Sequence, residues 1–158
     1  MRIDRLDHLV LTVADIDATV RFYTEVLGME LVRFGAGRLA LRFGDSKINL
    51  HEAGREVEPH ALRPTPGSAD LCLVLAGDPS EALAGARARL AEHRVAIELG
   101  PVERTGARGG IESLYVRDPD ANLIELSVYP AAAPGAGAGM QPGANAGTDS
   151  GADAAGIP

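Results

Sequence analysis

The sequence predicts an α+β fold of two βαβββ modules, and three observations carry that expectation. An alternating stretch, Leu6 to Val13, sets Leu9, Leu11 and Val13 on one face of a strand and His8, Val10 and Thr12 on the other. The pattern returns at Asp70 to Leu75, where Leu71, Leu73 and Leu75 are the apolar face and Asp70 takes the place of His8. The acids that can cap the helices after these strands, Asp15 and Asp78, lie 63 residues apart, against 62 for His8 and Asp70. Two independent features at nearly one offset mark an internal repeat.

Each element then follows in order. Asp15 suits an N-cap and Asp17 a first turn, Ile16, Val20, Tyr23 and Leu27 recur at helical spacing, and Gly28 closes the helix. Strands are expected over 30–34, 38–43 and 47–51, separated by Gly35-Ala36-Gly37 and Gly44-Asp45-Ser46. Residues 53–67, with three prolines and two glycines, read as a linker. The second module opens with the strand ending at Leu75. Its helix is announced by Asp78-Pro79-Ser80-Glu81, which is N-cap, N1 proline and N3 glutamate in sequence. Strands are expected over 95–99, 111–116 and 123–129, with 100–110 as a polar loop.

The folded domain is thus residues 1–129, with modules 1–52 and 68–129 joined by linker 53–67. From Pro130 the chain is nearly all Ala, Gly and Pro, without apolar periodicity. A tail of that composition, 130–158, cannot bury enough apolar surface to offset its ordering entropy, and it is expected to be disordered.

Composition narrows the function. The net charge is −7 and the arginines are scattered, which argues against nucleic acid and anionic membranes as partners. No apolar run reaches the ~18 residues of a membrane span. The N-terminal residues lack the apolar core of a signal peptide. A cytoplasmic protein is expected. The one cysteine, Cys72, excludes an internal disulfide framework and reads as a small buried hydrophobe.

If the helices cover the leucine faces, the opposite faces are free to curve around a ligand. His8 and Asp70 stand there on the first strands. On the last strand, Ile124, Leu126 and Val128 match the helix-facing set, which turns Glu125 inward. On its counterpart, Ile48 and Leu50 leave Asn49 and His51 inward. Direct matching pairs Glu125 with Asn49, and a two-residue shift pairs it with His51. Metal chemistry favours His51, because imidazole binds metals far better than an amide. His8, His51 and Glu125, with Asp70, then form an N/O donor set suited to Zn, Ni, Co, Mn or Fe(II).

These segments resemble the vicinal oxygen chelate superfamily, which includes glyoxalase I, fosfomycin-resistance proteins, extradiol dioxygenases and bleomycin-binding proteins. The resemblance rests on Leu6 to Val13, Phe22-Tyr23-Thr24-Glu25-Val26-Leu27-Gly28-Met29, and Arg117-Asp118-Pro119-Asp120-Ala121-Asn122-Leu123-Ile124-Glu125. Phe43 to Glu52, Pro66 to Cys72 and Gly100 to Gly106 are similar to the short glyoxalase-domain-containing proteins of the "protein 5" type. The resemblance implies paired βαβββ modules, a divalent metal on the concave face with His8, His51, Asp70 and Glu125 at the ligand places, and often a homodimer. In many relatives module 1 of one chain closes on module 2 of another.

Two function classes follow. The first is a divalent-metal-dependent enzyme on a small oxygenated substrate, of the glyoxalase I-like lyase or isomerase type, with an extradiol-type dioxygenase as a variant. Its metal would chelate neighbouring substrate oxygens and Glu125, or Asp70 if unligated, would act as general base. The second is a metal-free antibiotic-binding protein, but aromatics are only 4% and tryptophan is absent, which disfavours stacking on a planar drug. Deleting residues 131–158 is expected to leave the melting temperature within about 2 °C of the full chain. A fall of many degrees in differential scanning fluorimetry would show that the tail packs on the domain.

Overall fold

The computed structural model describes residues 1–131, so the tail expected over 130–158 lies almost wholly outside the described residues. The elements run β1 (His8–Val13), α1 (Ile16–Arg21) continued by a π-helical segment (Phe22–Val26), β2 (Glu30–Phe34), β3 (Arg38–Phe43), β4 (Ser46–Glu52), β5 (Asp70–Val74), α2 (Pro79–Glu92), β6 (Leu99–Gly106), β7 (Gly109–Arg117) and β8 (Leu123–Val128). This is βαβββ twice. The strands form two four-stranded mixed sheets, β1-β4-β3-β2 and β5-β8-β7-β6, with one parallel pair in each. No helix of the described residues is long and apolar enough to cross a membrane.

Local chemistry accounts for the helices. Asp15 caps α1 by accepting from the Ala18 N–H, and Asp78 caps α2 by accepting from Ser80 and Glu81. The first helix ends at Gly28, whose φ of +72° suits a residue without Cβ. The π-helical segment buries both Tyr23 and Val26.

Strand alternation decides how the modules meet. Leu11, Val13, Leu41, Ile48 and Leu50 of the first sheet share one core with Leu114, Val116, Ile124, Leu126 and Val128 of the second. Tyr23, Val26, Leu83 and Leu90 from the helical segments complete it. The modules therefore pack through their helix-covered faces. Polar bonds pin the joint: Arg89 of α2 donates to the Val26 and Glu25 carbonyls of the first helical segment at 2.8 and 2.6 Å. The Tyr23 hydroxyl donates to Asp118 Oδ2 at 3.0 Å in a fully buried setting. Asp118 in turn accepts from the Asn122 backbone and side-chain amides, and Asn122 Oδ1 accepts from the Ala69 N–H.

One stretch differs from its expected form. Residues 100–110 are not a loop: β6 occupies 99–106 and turns into β7 through Gly106–Gly109, while the strand expected at 95–99 is irregular until Leu99. As an edge strand exposed along most of its length, β6 needs no apolar alternation. Its register with β7 shifts between Leu99 and Val102. There Gly100 has φ +118°, and a Cβ on it would stand 2.5 Å from the Ser113 carbonyl oxygen.

Burial, and then the charge and hydrogen bond of Asp118, push the Tyr23 pKa far above its ordinary value. Above pH ~10 an unfolded tyrosine loses its proton while Tyr23 keeps it, so stability falls as pH rises through that value. Tyr23→Phe is expected to cost about 1–2 kcal/mol at pH 7. It should also lose less stability than wild type between pH 9 and ~10.5, as read by urea unfolding.

Candidate functional site

The faces turned away from the helices carry the polar residues. In the second module, Asp70 and Cys72 of β5, Glu125 and Ser127 of β8, Ser113 and Tyr115 of β7, and Arg104 of β6 share one face, as their pairing registers require. Glu125 is its centre. Its Oε1 accepts from the Ser113 hydroxyl at 2.6 Å and from the Ser127 hydroxyl at 3.3 Å, and both serines are fully buried. Among the described residues no serine donates to Oε2. The Ser113 and Ser127 hydroxyls are 2.9 Å apart, and the Cys72 Sγ lies 3.3 Å from the Ser127 oxygen. Arg104 Nε donates to the Tyr115 hydroxyl at 3.2 Å. Desolvation pushes the Tyr115 phenol up, and Glu125 adds to that.

Cys72 departs from its expected burial: it is exposed. The reason is topological, since β5 is an edge strand and Cys72 faces away from the helices. Desolvation raises its thiol pKa, with the charge of Glu125 adding to the effect.

In the first module the corresponding face holds His8, Val10 and Thr12 of β1, Lys47, Asn49 and His51 of β4, Arg38, Ala40 and Arg42 of β3, and Phe34 of β2. His8 Nδ1 lies 2.8 Å from Asp7 Oδ1. With the proton on Nδ1, a carboxylate orients the ring and Nε2 is left for another partner. The register answers which inward residue of β4 matches Glu125. Val10 pairs with Asn49 as Cys72 pairs with Glu125, and Thr12 pairs with His51 as Val74 pairs with Ser127. Asn49 is therefore the equivalent of Glu125, and His51 that of Ser127. His8 pairs with Lys47, which leaves His51 four residues, about 13 Å, farther along the sheet. Asn49 and His51 are both more than nine-tenths buried, and Asn49 Oδ1 and His51 Nδ1 have no hydrogen-bond partner. Buried polar atoms of this kind are costly, which singles out Asn49 and His51 on this face.

Within one chain these donors are kept apart. His8 and His51 lie on one sheet, Asp70 and Glu125 on the other, and the sheets meet through their opposite faces. Among the described residues no three His, Cys, Asp or Glu side chains gather as a metal site. Ser113 was not singled out from the sequence; the alternation that turns Glu125 inward turns Ser127 inward as well, and the same alternation along β7 was the signal that places Ser113 and Tyr115 beside them.

The sequence profile of the Glyoxalase/Bleomycin resistance protein/Dioxygenase superfamily matches residues 5–126. The chain belongs to this superfamily. It is 57% identical over 127 residues to the glyoxalase domain-containing protein RDO1 of Mycosarcoma maydis, covering 80% of this chain and 69% of that one. It is 54% identical over 129 residues to virulence protein STM3117 of Salmonella typhimurium strain LT2, covering 82% and 87%. The crystal structure of the Salmonella protein superposes with a TM-score of 0.76 over 82% of this chain and 99% of that one. Two more distant superfamily structures share the fold. Lactoylglutathione lyase from Agrobacterium tumefaciens is 20% identical with a TM-score of 0.60, covering 81% and 96%. The antibiotic-binding protein TnmS3 from Streptomyces sp. CB03234 is 26% identical with a TM-score of 0.61, covering 83% and 99%. The superfamily thus spans enzymes and binding proteins, and membership alone does not choose between them.

Because the Cys72 thiol is exposed but its pKa is raised, iodoacetamide should alkylate it more slowly at pH 7.5 than free cysteine. Glu125→Gln removes one cause of the raised pKa and should speed the reaction about two- to fivefold by mass spectrometry.

Proposed function

We propose that the protein is a divalent-metal-dependent enzyme of the glyoxalase I-like type, moving a proton on a small oxygenated substrate. One observation carries the reading. His8 with Asn49, and Asp70 with Glu125, occupy equivalent places on the faces turned away from the helices, and the Asn49 oxygen is buried without a partner. The donor chemistry fits a divalent ion of the Zn, Ni, Co, Mn or Fe(II) group. Imidazole comes from His8, already oriented by Asp7, and carboxylates come from Asp70 and Glu125. By register Asn49, rather than His51, takes the remaining place. Such an ion, when bound, polarises substrate oxygens as a Lewis acid.

The chain's own residues supply the rest. The Ser113 and Ser127 hydroxyls hold Oε1 of Glu125, so the carboxylate has one fixed oxygen and one, Oε2, that no serine holds. That is the arrangement of a positioned carboxylate, and where Oε2 is not given to the ion Glu125 takes and returns the proton there. Tyr115, kept protonated, donates to developing negative charge on the substrate.

The donors meet when module 1 of one chain closes on module 2 of a second. A homodimer of this kind is supported by three features. Among the described residues the β1 and β5 edges are unpaired, Val10 and Val74 are 46% and 54% exposed beside them, and the first module's face carries Arg38, Arg42 and Lys47 where the second's brings the carboxylates of Asp70 and Glu125 among its own arginines.

Purified without chelator and reconstituted with each of Zn, Ni, Co, Mn and Fe(II), the protein is expected to hold about one metal per chain by elemental analysis. Content near zero with every metal would refute the reading. His8→Ala and Glu125→Ala homodimers should each lose the metal. Co-refolded heterodimers put both lesions in one cleft and should recover about half. No recovery from proven heterodimers would mean that clefts form within a chain. Turnover of methylglyoxal–glutathione hemithioacetal, with catechols as the dioxygenase comparison, assigns the reaction.

A further inference from the structure

Two cations on the first module's face share one aromatic ring. The Arg38 guanidinium carbon lies 4.5 Å from the Phe34 ring centroid, and the Lys47 ammonium lies 4.0 Å from it. Both heads are therefore gathered over a single side chain. Each cation is favoured by the ring's negative face, but the ring carries no net charge and cannot neutralise either. The neighbouring Arg42 pairs with Glu30, whereas neither Arg38 nor Lys47 has a carboxylate within salt-bridge distance among the described residues. In a chain of net charge −7, two cations gathered at one ring, neither in a salt bridge among the described residues, are an unexpected placement. Their location adds to this. Lys47 is in register with His8, one strand away and on the same face, and Arg38 flanks Ala40, which pairs with Asn49.

We infer that Lys47 and Arg38, ordered by Phe34, form an anion-anchoring subsite beside the candidate metal donors, and that the substrate is a small organic anion bearing a carboxylate, phosphate or phosphonate. The inference rests on reading this face as a small-molecule site and adds the charge of the ligand to that reading. The two cations divide the work by their chemistry. The guanidinium offers a planar fork for two anion oxygens, and the ammonium is a compact point charge. Like charges gathered at one ring repel, and a bound anion relieves that repulsion. The ligand thus gains from an arrangement that the protein alone does not favour.

The test uses an unusual property of the sequence: Lys47 is its only lysine. Reductive methylation with ¹³C-formaldehyde therefore gives one side-chain signal besides that of the N-terminal amine. Full-length protein, with and without added Zn, is titrated with phosphonoacetate, malonate and inorganic phosphate, and with malonamide as the uncharged control. The Lys47 signal is expected to move saturably with phosphonoacetate or malonate and not with malonamide. Phosphate alone moving it would still place an anion there, but a phosphate-bearing one. In calorimetry, Lys47→Gln and Arg38→Gln should each weaken binding at least fivefold, and Lys47→Arg should stay within about threefold of wild type. Phe34→Leu, which keeps both charges but loses the ring, should weaken it two- to fourfold. Melting temperatures show that each variant is folded. No saturable shift up to 50 mM of any anion, or unchanged affinity in both glutamine variants, overturns the subsite. So does dissociation of a dimer by Lys47→Gln with anion affinity intact, which would make the lysine an interface charge. Anion binding by a protein that takes up no metal would sink the metalloenzyme reading and leave the subsite standing. Metal uptake without anion binding would do the reverse.

Discussion

The Tyr23–Asp118 hydrogen bond is the contact on which the rest of the architecture depends. It joins the first helical segment to the turn before β8, and Asp118 extends it through Asn122 to the backbone at Ala69, where β5 begins. A carboxylate in a buried setting is expensive unless its oxygens are satisfied, and here four donors converge on it, from Tyr23, Asp120 and both amides of Asn122. Asp120 reaches the other way, accepting from the Ala14 N–H just after β1. The two modules are thus locked back to back. Every leucine face is consumed in the shared core, and the polar faces are left pointing outward. The candidate chemistry follows from this lock, because only faces excluded from the core remain to bind a ligand.

The outward faces are not equally finished. Glu125 sits in a completed setting, with two buried hydroxyls on one oxygen and a phenol nearby. Asn49 and His51 sit in an unfinished one, buried yet with one polar atom each that no described residue hydrogen-bonds. Unsatisfied buried atoms cost about 1–3 kcal/mol each, so they persist where a function compensates.

Much of this was legible in the sequence, through periodicity. Alternation at His8 to Val13 and Asp70 to Val74, and the caps Asp15 and Asp78, specified both modules. The fold class expected from them is the one observed. What failed did so for physical reasons. β6 carries Glu103, Arg104 and Thr105 in its middle because an exposed edge strand is not selected for an apolar face, so its polarity imitated a loop. Cys72 was expected to be buried because its strand is apolar, but which strand lies at an edge is set by pairing across 50 residues, which no local window reports. The choice between Asn49 and His51 turned on ligand chemistry, whereas the simple Ile-x-Leu match already contained the observed register. The Tyr23–Asp118 bond joins residues 95 apart and leaves no local trace.

The duplicated unit has one further consequence. Two identical faces would enclose a cavity with a two-fold axis, in which any asymmetric molecule could lie in either of two equal orientations. Here the equivalent places have diverged: Asn49 against Glu125, His51 against Ser127, Ala40 against Tyr115, Arg38 against Ser113, Lys47 against Leu123. A cavity made from one face of each kind has Lys47 and Arg38 on one wall and Asp70 and Glu125 on the other, with the Tyr115 ring on one side only. It therefore has handedness. A guest of matching polarity enters one way round, and a prochiral carbon within it would show the same face to Glu125 each time.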